Sequence, residues 1–333
     1  MRKIGSKSEF KAVILAGGSG ERFWPLSTAE RPKQFLRVFG GSSLIRQSVD
    51  RLAGLVKSEN VFVITSSALV AATRRELPEL PVANIIGEPM RRDTGAAVAL
   101  GVGVAGEGTI GFFPSDQLVA KPVRFRAAVR RAIAAARRKS TIVTLGITPT
   151  YPSTGFGYVN PKTGQFVEKP NLAKARSYVK AGYLWNAGMF IARAETFRAA
   201  FAATAPDLSP LAEPTVGRTP AALKARYEAL PKISFDFAVM EQYPSVTVVP
   251  GDFGWDDVGS YAAFDTYFPH DTNGNVREGP CTVVEAEDNI CVARSARISL
   301  LGVKNLVVVT TPDAVLVADK SRLSEMKRLF AKK

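Results

Sequence analysis

The sequence predicts an α/β fold: a Rossmann-like, mostly parallel sheet with helices on both faces, plus a small C-terminal β domain. Three observations carry this reading. Up to Pro149, short apolar, β-branched runs alternate with helix-patterned stretches, and such alternation builds βαβ units around a sheet buried on both sides. After Pro149 the pattern turns to glycine-rich turns, short strands and longer loops, and from about Asn273 to closely spaced β-branched segments. The composition, 46% hydrophobic and 22% charged over 333 residues, is ordinary for a globular chain with one large core and an appendage. The expected division is 1–272 for the large domain and 273–333 for the small one.

The first strand is expected over 10–16 (FKAVILA), since this run ends abruptly at Gly17-Gly18-Ser19-Gly20. Further strands are expected over 60–66, 82–86, 109–114 and 140–145, separated by helices over 42–56, 68–76, 96–104 and 124–139. The last of these carries Arg130, Arg131, Arg137 and Arg138 around Phe125, Val129, Ile133 and Ala136. Apolar positions every three or four residues make it an amphipathic helix with a solvated basic face. Helices follow near 173–181 and 220–228. Strands over 281–284, 290–293, 298–301, 306–310 and 314–318 form the small domain, closed by a basic helix over 321–330. No internal repeat stands out. A ligand crevice belongs at the carboxyl ends of the parallel strands.

Composition also excludes chemistries. One histidine, His270, in a Pro- and Asp-rich loop, argues against Ser-His-Asp hydrolysis and His-rich zinc sites. Two cysteines, Cys281 and Cys291, make no disulfide framework and point to a reducing, cytoplasmic compartment. Neither a signal-peptide pattern nor a membrane-spanning apolar run occurs, so neither secretion nor membrane association is expected. The formal net charge of +14 calls for anionic partners. Phosphorylated small molecules satisfy that as well as nucleic acid does, and no zinc finger, KH loop or aromatic RNP pattern accompanies the charge.

Leu15-Ala16-Gly17-Gly18-Ser19-Gly20-Glu21-Arg22 places three glycines and a serine directly after a strand. Glycine lets successive backbone N–H groups approach a phosphate chain, and Arg22 adds a forked cation. An ordinary tight turn is the competing explanation. The loop is neither a Walker A sequence nor GxGxxG. A literal GxGxxG does occur at Gly101, Gly103 and Gly106, but it ends a helical stretch and precedes a strand, so helix packing accounts for it better. Two further places supply carboxylates: one in Phe112-Phe113-Pro114-Ser115-Asp116, just past a strand end, and two in Gly254-Trp255-Asp256-Asp257-Val258-Gly259, a glycine-flanked turn. Mg²⁺ is commonly held by one or two carboxylates with phosphate oxygens and water. A strand-end cap is the alternative for Asp116. The segment Gly87-Glu88-Pro89-Met90-Arg91-Arg92-Asp93-Thr94-Gly95 follows a strand and opens a helix, a position suited to base and ribose contacts. Guanine offers N–H donors, so the acids Glu88 and Asp93 are candidates to receive them.

In order along the chain, LAGGSGERFWPLS, RPKQFL, GEPMRRDTGAA, FFPSDQ, TGFGYV, FVEKP, LWNAGMF, SFDFAVME and FGWDDVGS resemble the nucleotidyltransferases that make nucleotide sugars, specifically the mannose-1-phosphate guanylyltransferases. The resemblance implies that Gly17, Gly18, Ser19 and Gly20 wrap a triphosphate, and that Arg22 and Lys33 stabilise its charge. It implies Asp116 and Asp257 as Mg²⁺ ligands, because the family pattern Trp-x-Asp-x-Gly leaves Asp256 in the variable slot. Glu88, Arg92, Asp93 and Thr94 would then meet the nucleotide of GTP, and Gly157, Glu168, Lys169 and Asn186 would receive mannose 1-phosphate. Taken alone, Glu168-Lys169 reads as a surface ion pair, and Asn186 as a buried turn residue. Trp185 and Trp255 read as packing residues. Asp93, Gly95 and Gln117 depart from the family pattern. A different sugar 1-phosphate, such as a heptose, and a silent nucleotide-sugar-binding regulator remain as alternatives. The resemblance further implies a β-helix-like C-terminal domain, often used for homodimer contact, with no chain left for a fused isomerase domain.

Overall fold

The structure, a computed structural model, describes residues 9–18, 20–215 and 219–330. The chain divides into two compact units: one of residues 1–17, 46–115 and 119–255, the other of 18–45, 116–118 and 256–333.

The first unit is built on a sheet of seven main strands: β1 (Phe10–Ala16), β2 (Val61–Ser66), β3 (Ile85–Glu88), β4 (Thr109–Pro114), β5 (Ile142–Ile147), β6 (Leu184–Arg193) and β7 (Val246–Pro250). Their order is β7-β5-β6-β4-β1-β2-β3. All neighbours are parallel except β6, which runs antiparallel to both β4 and β5. Successive side chains on β4 establish that both faces are covered. The Phe112 ring meets Phe197 of helix α6 (Ala194–Thr204), and the Phe113 ring meets Phe125 of helix α4 (Pro122–Arg138). Helix α3 (Asp93–Ala105) is apolar all round and almost wholly buried, as a helix enclosed in a core should be. A Cβ on its Gly101 would lie 2.5 Å from Phe112, so the glycine permits close helix-to-strand packing. The basic face of α4 is exposed, with Phe125, Ala128, Val129, Ala132 and Ala136 turned inward.

Helices α2 (Val70–Glu76) and α5 (Leu172–Lys180) lie near their expected places, the strand expected over 140–145 runs over 142–147, and two other elements shift more. The helix expected over 42–56 is only Leu44–Asp50 (α1), and the chain then turns at Gly54, whose φ of 77° is left-handed. The strand expected over 82–86 begins at Ile85 instead, because Asn84 donates hydrogen bonds to the Glu59 and Val61 carbonyls and holds 82–84 as a 3-10 turn.

The second unit contains the expected C-terminal strands: β8 (Val276–Glu278), β9 (Cys281–Val284), β10 (Ile290–Ala293), β11 (Ile298–Leu301), β12 (Leu306–Thr310) and β13 (Val315–Asp319). Strands β8, β10 and β12 stack in parallel, β9 pairs in parallel with β11, and β13 returns antiparallel on β12. This is a short β-helix, and it corrects the expectation of no repeat. Asn275-Val276, Asn289-Ile290 and Asn305-Leu306 each open a rung. The buried Asn275 Oδ1 accepts from the Asn289 backbone N–H and side-chain amide, and Asn289 Oδ1 accepts from the Leu306 N–H. Asn275 and Asn289 thus satisfy backbone groups at the bend of the next rung, while the Asn305 amide donates to the Asp319 carboxylate. The closing helix, Lys320–Leu329, is 3-10 throughout, which lines up the i,i+3 pairs Arg322–Glu325 and Glu325–Arg328. The core of this unit joins Phe23, Leu26, Leu36 and Phe39 to Tyr261, Phe264, Val276, Ile290, Val307, Leu323 and Met326. The segment after the first strand therefore shares its apolar packing with the β-helix. Among the described residues, no helix is long and apolar enough to cross a membrane.

Candidate active site

The expected site residues fall into two clusters, one in each unit.

In the second unit, Gly20 sits at φ 67°, and a Cβ there would lie 2.5 Å from the Lys33 nitrogen. Only glycine fits that turn. The Phe23 N–H donates to the Gly20 carbonyl, fixing the loop's exit into a 3-10 turn, Glu21–Phe23. Lys33 is nearly buried, and its ammonium donates to Asp116 Oδ2 at 3.0 Å and to the Asp257 carbonyl at 2.6 Å. Gly259 stands between the Arg22 guanidinium and the Asp257 carboxylate: a Cβ there would be 3.2 Å from one and 3.4 Å from the other. The residue between Asp257 and Gly259, Val258, is buried in the left-handed region at φ 47°, a strain that a β-branched side chain tolerates only where its surroundings enforce it. Asp256 enforces it. Its carboxylate accepts from the Val258 N–H at 2.6 Å and from the Tyr267 hydroxyl at 3.0 Å.

Removal from water pushes the Asp257 carboxyl above its ordinary range, Asp116 and Asp256 add to the shift, and Lys33 and Arg22 oppose it. A cavity of 180 Å³ opens here, lined by Gly18, Gly20, Glu21, Arg22, Phe23, Lys33, Asp116, Gly259 and Lys327. Gly18 and Gly20, two of the expected loop glycines, line this cavity. Ser19, expected with them, lies outside the described residues. Gln117, one of the departures from the family pattern, is buried. Among the described residues no three carboxylate, imidazole or thiolate groups converge on a metal position. Two carboxylates remain, one of them only partly neutralised, and this donor set suits a hard divalent cation that completes its shell with phosphate oxygens and water.

In the first unit, Glu88 ends β3 in a buried position, where its Oε1 accepts from the Tyr227 hydroxyl at 3.1 Å. Burial pushes its carboxyl up to about 7; the Tyr227 bond opposes the shift and the Asp93 charge adds to it. Gly17 is beside it, since a Cβ there would be 3.7 Å from Glu88 Oε2. Asp93 adopts φ 64° and accepts from the Thr94 N–H at 2.7 Å. Two expected nucleotide contacts are engaged in the frame. Arg92 donates to the Tyr227 and Glu228 carbonyls at 2.8 and 2.6 Å, at the end of helix α7 (Pro220–Glu228), and Thr94 Oγ1 accepts from the Phe235 N–H at 2.9 Å. The Gly95 departure has a packing reason: a Cβ would lie 2.7 Å from the Ile233 carbonyl oxygen.

The remaining expected residues assemble nearby in the same unit. A Cβ on Gly157 would lie 2.6 Å from Glu168 Oε2. The buried Glu168 carboxylate pairs with Lys169 at 3.0 Å, and Lys169 takes φ 43°. Asn186 Oδ1 accepts from the Thr144 hydroxyl and the Gly188 N–H, while its amide donates to Asp236 Oδ1 at 2.9 Å. Asn186 is thus engaged on both its oxygen and its amide, and it orients Asp236. That aspartate, which sequence reasoning missed, opens a π-helical turn, Asp236–Met240; π-turns often mark functional sites. Desolvation pushes it up to about 7, with the Glu168 charge adding and Lys169 and Asn186 opposing. Its signal was present in SFDFAVME, where one acid interrupts an apolar run. Glu241 holds the Glu168 N–H at 2.7 Å. Trp185 and Trp255 pack edge-on against Phe156, as expected of packing residues.

An open α/β sheet, glycines followed by Arg22 and Lys33, and two acids beside them define a site for phosphoryl or nucleotidyl chemistry. The nucleotidyl transferase pattern matches residues 11–274, and that of the mannoseP isomerase/GMP-like beta-helix domain matches 279–332. The chain belongs to the nucleotidyl transferase family. It is 36% identical to the mannose-1-phosphate guanylyltransferase of Escherichia coli (strain K12), over 97% of this chain and 73% of that protein. With the Salmonella typhimurium enzyme RfbM, of the same designation, it shares 35% identity over 96% and 71%. A solved structure described as mannose-1-phosphate geranyltransferase from Thermus thermophilus superposes with a TM-score of 0.86 at 35% identity, over 96% of this chain and 98% of that one.

Proposed function

We propose that this chain transfers GMP from GTP to mannose 1-phosphate, giving GDP-mannose and pyrophosphate. The observation that carries the reading is the second-unit cluster, in which Lys33 bridges Asp116 and Asp257 beside Arg22 and a glycine-lined cavity. The chain's relatives named for this activity supply the substrates.

The nucleophile is a phosphate oxygen of the sugar phosphate, already largely dianionic at neutral pH because its second pKa is roughly 6. No general base is required, in keeping with a chain that has a single histidine. The attack is in line on the α-phosphorus, and pyrophosphate leaves. Arg22 and Lys33 are aimed at the charge that builds on the phosphate oxygens, and their fixed positions avoid reorganisation as it develops. Asp116 and Asp257 would hold Mg²⁺, which when bound supplies further neutralisation of that charge. Gly17, Gly18 and Gly20 would offer backbone N–H groups to the phosphates, a role the sequence resemblance extends to Ser19. Glu88 and Asp93 are the acceptors for guanine N–H donors, with Arg92 and Thr94 holding their loop. Glu168 accepts from sugar hydroxyls, Lys169 meets the sugar's phosphate, and Gly157 and Asn186 shape the pocket. Residues 1–272 would form the catalytic domain and 273–333 the appended one, with homodimer contact through the latter and a cytoplasmic setting.

The test is pyrophosphate release by purified protein given Mg²⁺, each of the four nucleoside triphosphates and a panel of sugar 1-phosphates. Release with GTP and mannose 1-phosphate is expected. No release from any pair would sink the enzyme reading, and preference for another sugar would sink only the mannose assignment.

A further inference from the structure

We propose that Lys327, on the 3-10 helix that closes the β-helix, is a further binding residue for the phosphate chain of the nucleoside triphosphate. This deepens the reading above and rests on it.

Three observations place Lys327 there. The cavity bounded by Gly18, Gly20, Arg22, Lys33 and Asp116 has Lys327 in its wall, although some 300 residues separate it from the glycine loop in sequence. Its position is anchored. Leu323 and the adjacent Met326 are buried in the same apolar cluster as Phe23, and the Phe330 ring meets Trp24 edge-on at 5.7 Å. A residue between two such anchors has its backbone fixed at the rim of the loop. The neighbouring cations are engaged: Lys320 pairs with Asp265, and Arg322 and Arg328 both pair with Glu325. Lys327 has no carboxylate within ion-pair range among the described residues, and its side chain is exposed.

Charge within the cavity gives this cation a task. Lys33 is tied to Asp116 and to the Asp257 carbonyl, and Glu21 adds a negative charge to the lining. Arg22 and Lys33 alone therefore leave little positive surplus for a polyphosphate carrying several charges. The space, 180 Å³, is below the roughly 300 Å³ of whole-ligand pockets, so it suits part of a ligand. Its lining sets glycine backbone and the cations Arg22, Lys33 and Lys327 against the acids Glu21 and Asp116, and this cationic surplus favours phosphate over nucleoside. A flexible ammonium on a four-carbon stem suits such a role as a point charge. The β-helix would thus complete the nucleotide site as well as serving as an appendage.

The experiment compares full-length Lys327→Ala, Lys327→Arg and, as a control for loss of one surface charge, Lys304→Ala, whose side chain pairs with Glu287. Steady-state rates are measured with GTP and mannose 1-phosphate, and inorganic pyrophosphate is titrated calorimetrically with Mg²⁺. Lys327→Ala is expected to raise the KM for GTP and the Kd for pyrophosphate by about tenfold, on the scale of one charge-assisted hydrogen bond. The KM for mannose 1-phosphate and the unfolding midpoint should stay close to those of the parent protein. Lys327→Arg should recover most of the loss, and Lys304→Ala should show none. Unchanged GTP and pyrophosphate binding in Lys327→Ala, or an equal effect from Lys304→Ala, overturns the proposal while leaving an active parent enzyme intact. A parent protein that releases no pyrophosphate with any substrate pair would instead overturn the reading on which it rests.

Discussion

The two charged clusters use the same residue types to opposite ends. In the second unit, Lys33 reaches one carboxylate and one carbonyl, and its partner Asp116 keeps 37% of its side-chain surface in solvent. That arrangement leaves carboxylate lone pairs and a cationic cavity available to a metal and phosphates. In the first unit three acids are withdrawn from water: Glu88 and Asp236 are both pushed up to about 7, and Glu168 is raised by burial, with Lys169 opposing the shift and the Glu241 charge adding to it. Acids near neutrality can present either an acceptor or a donor, which suits hydroxyl and base recognition. The comparison teaches that an acid kept in solvent beside cations, Asp116, with the buried Asp257 next to it, marks the cluster fitted to charge neutralisation, whereas Glu88, Glu168 and Asp236 are all withdrawn from water in the one fitted to hydrogen-bond selection.

The largest effect should come from the two acids proposed to hold the metal. Asp257→Asn or Asp116→Asn should lower kcat by at least on the order of 10²-fold, as loss of a transition-state charge contact does. Steady-state pyrophosphate release checks this, and near-normal turnover in either variant removes that residue from the reaction. Next, Lys169→Met should raise the KM for mannose 1-phosphate by roughly ten- to a hundredfold, the cost of a hydrogen bond to a charged group, while the KM for GTP moves little. Equal changes in both would dissolve the functional distinction between the clusters.

Gly95→Ala forces a Cβ to within 2.7 Å of the Ile233 carbonyl oxygen, and overpacking of this kind costs about 1–3 kcal/mol; denaturant unfolding measures it. A loss well below that range would show that the helix start can shift.

The smallest effect is a pH slope. Glu88 and Asp236 have folded pKa values of about 7, above their ordinary 4.5 and 3.8. The folded protein therefore binds more protons than the unfolded chain between those limits, so stability contributed by these groups is present at low pH and lost as pH rises through the window, levelling off above about 7. Glu88→Gln should flatten that decline in the ligand-free protein, as read from unfolding midpoints at pH 5, 6, 7 and 8. An unaltered slope would mean that Glu88 stays ionised.

Much of this protein could be read from its sequence. Short apolar, β-branched runs with their turn punctuation located the first strand and the strand over 109–114 to the residue, because such strands declare their burial by local pattern. Ordered motifs, each carrying its own glycine or charge, singled out Lys33, Asp116 and Asp257, which the structure brings together, and Glu168 with Lys169, which it pairs. What the sequence could not decide was association over distance. The Asn275, Asn289 and Asn305 rungs differ in length and flanking residues, so their ladder appears only when stacked. Asp236 looks like an isolated acid in an apolar run until Asn186 and Glu168 face it. The segment from Gly18 onward shares a core with a β-helix that begins more than two hundred residues later. Hydrophobic burial has no direction and no memory of sequence separation. It is therefore the tertiary packing that decided which acids lose their water, and which lysine stands at the rim of the glycine loop.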